Sequence, residues 1–276
     1  MVKKKIVYIV TEMEPFLQSS SLARIGRHLV GGGVRAGYEV RVIMPKFGGI
    51  NQRSHSLYEV QRLCGINVAI DGGHMSLIAK VGTIQEDKVR LQVYFIDNEE
   101  LFHGKKIFRD QDGKFYQDNG TRIGFMSKAA FVMLENLGWA PDIIHCMGWA
   151  WSLVPVYGKV VYANRFLFKK SKFLFTYGPN YFTESLGDGF LPSAQLRKVT
   201  PDYITEMGGG PTFEKMMTLT KQHADRVTCS FDETHAPASA MMKKHQIHHI
   251  ANNDELITNY HRLYDELLGE PPTLPA

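Results

Sequence analysis

A carboxylate, a histidine and two indole rings stand where an open sheet would put them to use. Glu12 follows the apolar run Ile6-Val7-Tyr8-Ile9-Val10. Open α/β sheets bind ligands at the carboxyl ends of such strands. Glu12 is therefore either a ligand-contacting carboxylate or a solvated loop glutamate. His145 ends a second apolar run, Asp142-Ile143-Ile144, as a general base or as a core histidine with both nitrogens satisfied. Trp149 and Trp151 follow it closely, as stacking platforms or as core aromatics opening a helix. Ser19-Ser20-Ser21 offers backbone N–H groups to an anion, or simply caps a helix. Gly208-Gly209-Gly210-Pro211-Thr212 is another glycine-rich helix entry, without the lysine of a P-loop or the spacing of a dinucleotide fingerprint. It reads as a flexible loop. His245, His248 and His249 have no acidic or cysteine partner at ligand spacing, so the expectation is no metal and no cofactor.

These residues need elements to position them. Ile6–Val10, Tyr38–Met44, Leu91–Ile96, Ile143–Cys146, Phe173–Tyr177 and Arg226–Ser230 are apolar runs suited to strands buried on both faces. Helical patterns alternate with them. The first spans Leu22 to Val30, and Gly31-Gly32-Gly33 should bend or fray its end, at about 1 kcal/mol per glycine relative to alanine. A longer one runs from about Thr121 to Leu137, with Gly138 past its end. Residues 50–90 break the pattern with shorter, alternating strands around the turn Asp71-Gly72-Gly73-His74, a β-rich insertion. Residues 253–268 form a last amphipathic helix capped by Asn253. The expected fold is α/β, a single doubly wound parallel sheet with that insertion, forming one domain over residues 1–276.

Composition narrows the function. The chain has 276 residues, 44% hydrophobic and 22% charged, and a net charge of +4 spread along its length. That argues against a nucleic-acid partner. No window approaches the ~18 apolar residues of a membrane span, and no signal peptide opens the chain. Cys64, Cys146 and Cys229 form no CxxC pair and read as free thiols, so a cytoplasmic location is expected.

Several segments in order resemble one family, the N-terminal domain of bacterial glycogen synthases and plant starch synthases. The family's S-E-x-x-P-F and K-x-G-G-L-A-D-V appear as Thr11–Phe16 and Gln18–Ile25. Its G-H-x-V-R-V-x-x-P-x-Y-G appears as Gly37–Gly48, and its Y-F-I-D-N-P-E-L-F as Tyr94–Phe102. Its Y-x-D-N-x-x-R-F appears as Tyr116–Ile123, its G-W-x-P-D-V-I-H-x-H-D-W as Gly138–Trp149, and its Y-A-D-R-V-T-T-V-S as His223–Ser230.

The resemblance implies a Rossmann-like domain, the N-terminal half of a GT-B glycosyltransferase. It implies glucosyl transfer from a nucleotide sugar, ADP-glucose, to an α-1,4-glucan. The family's second domain, which holds most of the donor, would begin where this chain stops. The resemblance gives an acceptor-side set of Glu12, Tyr116, Trp149 and Asn180. It also marks departures. Gln18, Ser20 and Ser21 replace the lysine and paired glycines of K-x-G-G, where the lysine contacts donor phosphates. Gly148 replaces the aspartate of H-D-W, and Gly178 falls where F-T-x-H-N carries its histidine. Lost charge near a departing diphosphate removes what is usually the largest catalytic contribution. No catalytic residue is assigned. Two functions remain: a glucosyltransferase domain, or a non-catalytic glucan-binding or regulatory homologue. Partners are an α-glucan, ADP-glucose for the first function, and a second protein or second copy across the open cleft face.

Overall fold

The structure is a computed structural model that describes residues 3–231 and 236–271. In chain order the strands are β1 (Lys5–Val10), β2 (Glu39–Pro45), β3 (Tyr58–Glu59), β4 (Ile66–Ile70), β5 (Gly73–Glu86), β6 (Val89–Asp97), β7 (Ile143–Met147), β8 (Lys172–Tyr177), β9 (Arg226–Cys229) and β10 (His248–His249). The helices are α1 (Ser21–Arg35), α2 (Glu99–Phe102), α3 (Asn119–Leu137), α4 (Leu153–Val160), α5 (Phe190–Ala194), α6 (Pro201–Glu206), α7 (Phe213–His223), α8 (Ala236–Lys244) and α9 (Leu256–Leu268). One sheet runs in the order β10-β9-β8-β7-β1-β2-β6-β5-β3, with β4 paired to β5. Every neighbouring pair from β10 to β6 is parallel, and β5 turns antiparallel against β6.

Side-chain alternation builds a core on each face of this sheet. Val7 and Ile9 of β1 join α3, α4 and α7 on one face. Ile6, Tyr8 and Val10 join α1 and α9 on the other. Both faces are covered, which is why the central strands read as unbroken apolar runs. This is the doubly wound α/β sheet expected from those runs. Residues 66–86 form an antiparallel hairpin, β4 and β5, turned at Asp71 and Gly72.

Helix α1 departs from expectation. It runs unbroken through Gly31-Gly32-Gly33. A Cβ on Gly31 would meet the Glu86 carboxylate at 2.6 Å, and one on Gly32 would meet Ile257 of α9 at 2.6 Å. The glycines lower the helix's own stability but let the end of β5 and α9 approach its backbone. Arg27 and Arg35 then both pair with Glu86. Trp149–Trp151 forms a 3-10 turn ahead of α4, so the two tryptophans precede the helix. Asn253 does not cap α9 directly: its Oδ1 accepts from Glu255 N.

Helix α9 packs on its own sheet through Leu256, Tyr260 and Tyr264. Beneath it lies a closed polar network. His145 Nδ1 bonds the Tyr264 hydroxyl at 2.9 Å and Nε2 bonds Thr176 Oγ1 at 2.7 Å. Tyr264 donates to the Tyr8 hydroxyl, and Tyr260 lies 3.1 Å from Thr176 Oγ1. His145 is thus the satisfied core histidine, not a base at the surface. Burial pushes its pKa down to about 3. Burial also lowers His223 and His261.

A group whose folded pKa is depressed contributes its full stability above the unfolded value, about 6.5 for histidine. That contribution is lost as pH falls from there toward about 3. Urea unfolding should therefore show stability falling below pH 6.5, by about 1.4 kcal/mol per pH unit from His145 alone. A flat profile from pH 7 to pH 5 would contradict the buried neutral histidine.

Candidate functional site

The strands β1, β7 and β8 end side by side, and their following residues open one pocket. A cavity of about 360 Å³ is lined by Thr11 and Glu12 after β1, Gly148 and Trp149 after β7, and Gly178, Asn180, Tyr181 and Phe182 after β8. Ser19 and Leu22 close it from the α1 side, and Lys106, Phe108, Arg109 and Phe115 from the loop after α2. Glu12, Trp149 and Asn180 therefore meet in one place, with Gly148 and Gly178. Tyr116 lies outside that cavity, in an adjoining groove with Lys114, Gln117 and Glu184. Its hydroxyl accepts from Lys106 N, and Arg122 sits over its ring. Gln18 is exposed, and neither it nor Ser20 nor Ser21 lines the cavity.

Glu12 is 2% exposed, so it is no solvated loop residue. Its Oε2 accepts from Ser19 N at 2.6 Å, Ser19 Oγ at 2.6 Å and Ser20 N at 3.1 Å. Its Oε1 accepts from Ser20 Oγ at 2.5 Å. A carboxylate has about four acceptor sites; three bonds fall on Oε2 and one on Oε1. Ser20 also caps α1 by accepting from Leu22 N. The carboxylate thus sits at the N-terminal end of α1, where the backbone favours an anion. The anion found there is the chain's own. Charge-assisted bonds of this kind are about twice as strong as neutral ones, so an incoming phosphate would have to displace them.

Aromatic side chains supply most of the remaining wall. The Trp149 ring lies 4.4 Å from Phe108 and 4.5 Å from Phe182, and Phe115 stacks on Phe182 at 5.4 Å. Trp149 is itself buried, so its role in the cluster is also that of a core aromatic. Two loops carry this wall, and Arg109 clasps them with a bidentate pair to Glu184 at 2.6 and 3.0 Å. The Arg109 bond holds the Glu184 carboxyl down at about 2. Arg122, fully buried, fixes the same loop from below. It donates to Asn119 Oδ1 and to the Lys106 carbonyl, with Phe47, Phe102 and Phe108 around it. Burial lowers its pKa to about 10.

Sequence reading missed the aromatic wall. Phe108, Phe115, Tyr181 and Phe182 are not among the candidate residues that the sequence singles out. The available signal was large aromatics in segments with no strand or helix period to bury them. His245, His248 and His249 do not converge: His245 lies near Glu214, and His249 bonds the Phe231 carbonyl.

Gly148 is more than a lost side chain. Its φ is +98°, and a Cβ would meet Thr11 Oγ1 at 2.6 Å. Restoring an aspartate here should cost about 1–3 kcal/mol in backbone strain before the Thr11 contact is counted. Gly148→Asp is expected to lower the urea midpoint, and an unchanged midpoint would show that the strand tip is free to rearrange.

A family model described as the starch synthase catalytic domain matches residues 5–230. The glycogen synthase of Chlorobium phaeobacteroides is 30% identical over 262 residues, covering 90% of this chain and 52% of the relative. That of Chlorobaculum tepidum is 34% identical over 232 residues, covering 83% and 46%. The chain spans about half the length of the curated relatives it matches. The solved catalytic domain of starch synthase IV from Arabidopsis thaliana, bound to ADP and acarbose, aligns with TM-score 0.66 at 20% identity. That alignment covers 95% of this chain and 53% of the other, and it shows a shared fold. Among the described residues no helix is long and apolar enough to cross a membrane. With the family model matching from β1 to the end of β9, this chain belongs to the starch synthase catalytic domain family.

Proposed function

We propose that this domain holds an α-1,4-glucan, the acceptor of a glycogen or starch synthase-type glucosyl transfer, without gripping a donor diphosphate through the loop at residues 18–21. The observation that carries the reading is the carboxylate of Glu12 in the N-terminal position of α1. An anion already held there, in a loop whose residue 18 is an uncharged glutamine, leaves that loop no cation to offset a departing diphosphate. The rest of the cavity suits a sugar chain. Phe115 and Tyr181 are half-buried rings on which the C–H faces of pyranoses can stack, and Asn180 presents an exposed amide to hydroxyls. In this reading Glu12 positions the loop and does not contact the glucan.

A second reading has its own support. Lys106, an exposed cation on the pocket margin, could stand in for the absent family lysine. The domain would then take part in transfer from ADP-glucose, and Lys106→Ala would abolish it.

Thermal melts with maltoheptaose and separately with ADP-glucose distinguish the two. At a hundredfold excess over Kd, a ligand adds about 2.7 kcal/mol, or about 2–5 °C in Tm. The acceptor reading expects that rise with maltoheptaose, reduced in Phe115→Ala and Asn180→Ala. A rise with ADP-glucose that Phe115→Ala or Lys106→Ala abolishes, with none for maltoheptaose, would overturn it.

A further inference from the structure

The other end of the sheet carries a second cavity that the acceptor reading does not use. Strands β2 and β6 pair only from Val42 with Val93 onward. On the amino side of that pairing, β2 bonds outward to β1 and β6 outward to β5. A cavity of about 630 Å³ opens there, larger than the pocket at the carboxyl ends and at the opposite ends of the strands.

Its charge is one-sided. Lys3, Arg41 and Arg90 line it, with Glu39 as the acidic member. Glu39 is already engaged by the Trp139 indole N–H, with Lys5 Nζ at 3.9 Å. Among the described residues Arg41 and Arg90 have no carboxylate partner. Arg90 reaches only Thr83 Oγ1, at 3.3 Å. Arg41 lies over the rings of Trp139 and Tyr94, at 4.9 and 5.8 Å, and its Nη1 is shielded from solvent without an acceptor. The Arg41 guanidinium is held against these aromatic faces and carries its charge at the cavity wall with no carboxylate among the described residues to neutralise it.

The cavity is also apolar where a folded surface should not be. Among the described residues three large hydrophobic side chains are strongly exposed, and Tyr58 at 56% and Val89 at 47% both belong to this wall. Cations without a carboxylate partner, in one cavity with an exposed aromatic ring, match a ligand with an anionic end and a ring.

We propose that this cavity is a second ligand site, for a small phosphate monoester that carries a ring. Arg41, Arg90 and Lys3 take the terminal phosphate, and Tyr58, on the same face of the sheet as Arg41, covers the ring. The terminal, doubly charged phosphate distinguishes this ligand from ADP-glucose, whose phosphates are both esterified. The site lies at the opposite ends of the strands from the glucan pocket, so its test stands apart from the acceptor reading.

Titration calorimetry on the whole chain at low salt tests it with AMP, glucose 6-phosphate and inorganic phosphate. The two esters separate a nucleotide from a sugar phosphate as the natural source. Saturable binding of at least one ester, tighter than that of inorganic phosphate, is expected. Arg90→Gln, at an exposed position, and Arg41→Gln should each weaken it about tenfold, equivalent to about 1.4 kcal/mol. Tyr58→Ala should bring the ester down to the level of inorganic phosphate, and Phe115→Ala in the other pocket should change nothing. No saturation by any of the three up to about 10 mM would overturn the proposal, as a Kd weaker than that carries no specific site. So would unchanged affinity in Arg90→Gln, loss of binding in Phe115→Ala, or capture of an acidic peptide in place of either ester.

Discussion

A carboxylate held at the start of one helix decides what this site can contain. Glu12 leaves β1 at the point where the sheet presents its ligands, turns into the N-terminal end of α1, and takes the N–H and hydroxyl groups of Ser19 and Ser20. Three features depend on that arrangement. The loop between β1 and α1 is folded back on the strand end. The cap of α1 is completed by Ser20. The donors of Ser19 and Ser20 are engaged by a negative charge, and a second anion sharing them would be repelled at short range. The nearby aromatic wall is the part of the cavity on which the proposed glucan would stack.

The rest of the molecule holds those few residues in place. Strand ends of β1, β7 and β8 are aligned by parallel pairing, so Glu12, Trp149 and Asn180 converge although they are far apart in sequence. Helix α1 is pressed against the sheet by α9, which the glycines of α1 admit. Helix α9 is fastened from below by Tyr260, Tyr264 and His145. A buried neutral histidine in a saturated network costs the fold acid resistance in return for a fixed sheet-to-helix distance.

Much of this was legible in the residues. The parallel sheet followed from unbroken apolar runs, which only strands covered on both faces produce. The family followed from short motifs at the strand ends, and those same motifs marked Glu12, Trp149 and Asn180. What the sequence did not disclose was what side chains do to one another across long separations. Gly31-Gly32-Gly33 read as a helix break because propensity is local, whereas the contact with Ile257 that explains them is not. Gly148 read as a missing aspartate, but its positive φ is a property of the folded strand tip. Glu12 read as free or ligand-bound because its hydrogen bonds to Ser19 and Ser20 cannot be seen in a spacing. The aromatic wall stayed hidden because loops have no period to count.

The most direct test of the account is a double-mutant cycle between Glu12 and Ser20, read by urea unfolding. Glu12→Ala, Ser20→Ala and the double variant give the coupling between the carboxylate and its donor. The account predicts a coupling of about 1.5 kcal/mol or more, the range of hydrogen bonds to a charged group. Effects that simply add, to within about 0.5 kcal/mol, would contradict it. The carboxylate would then not be held by the loop, and the N-terminal end of α1 would be open to a donor phosphate.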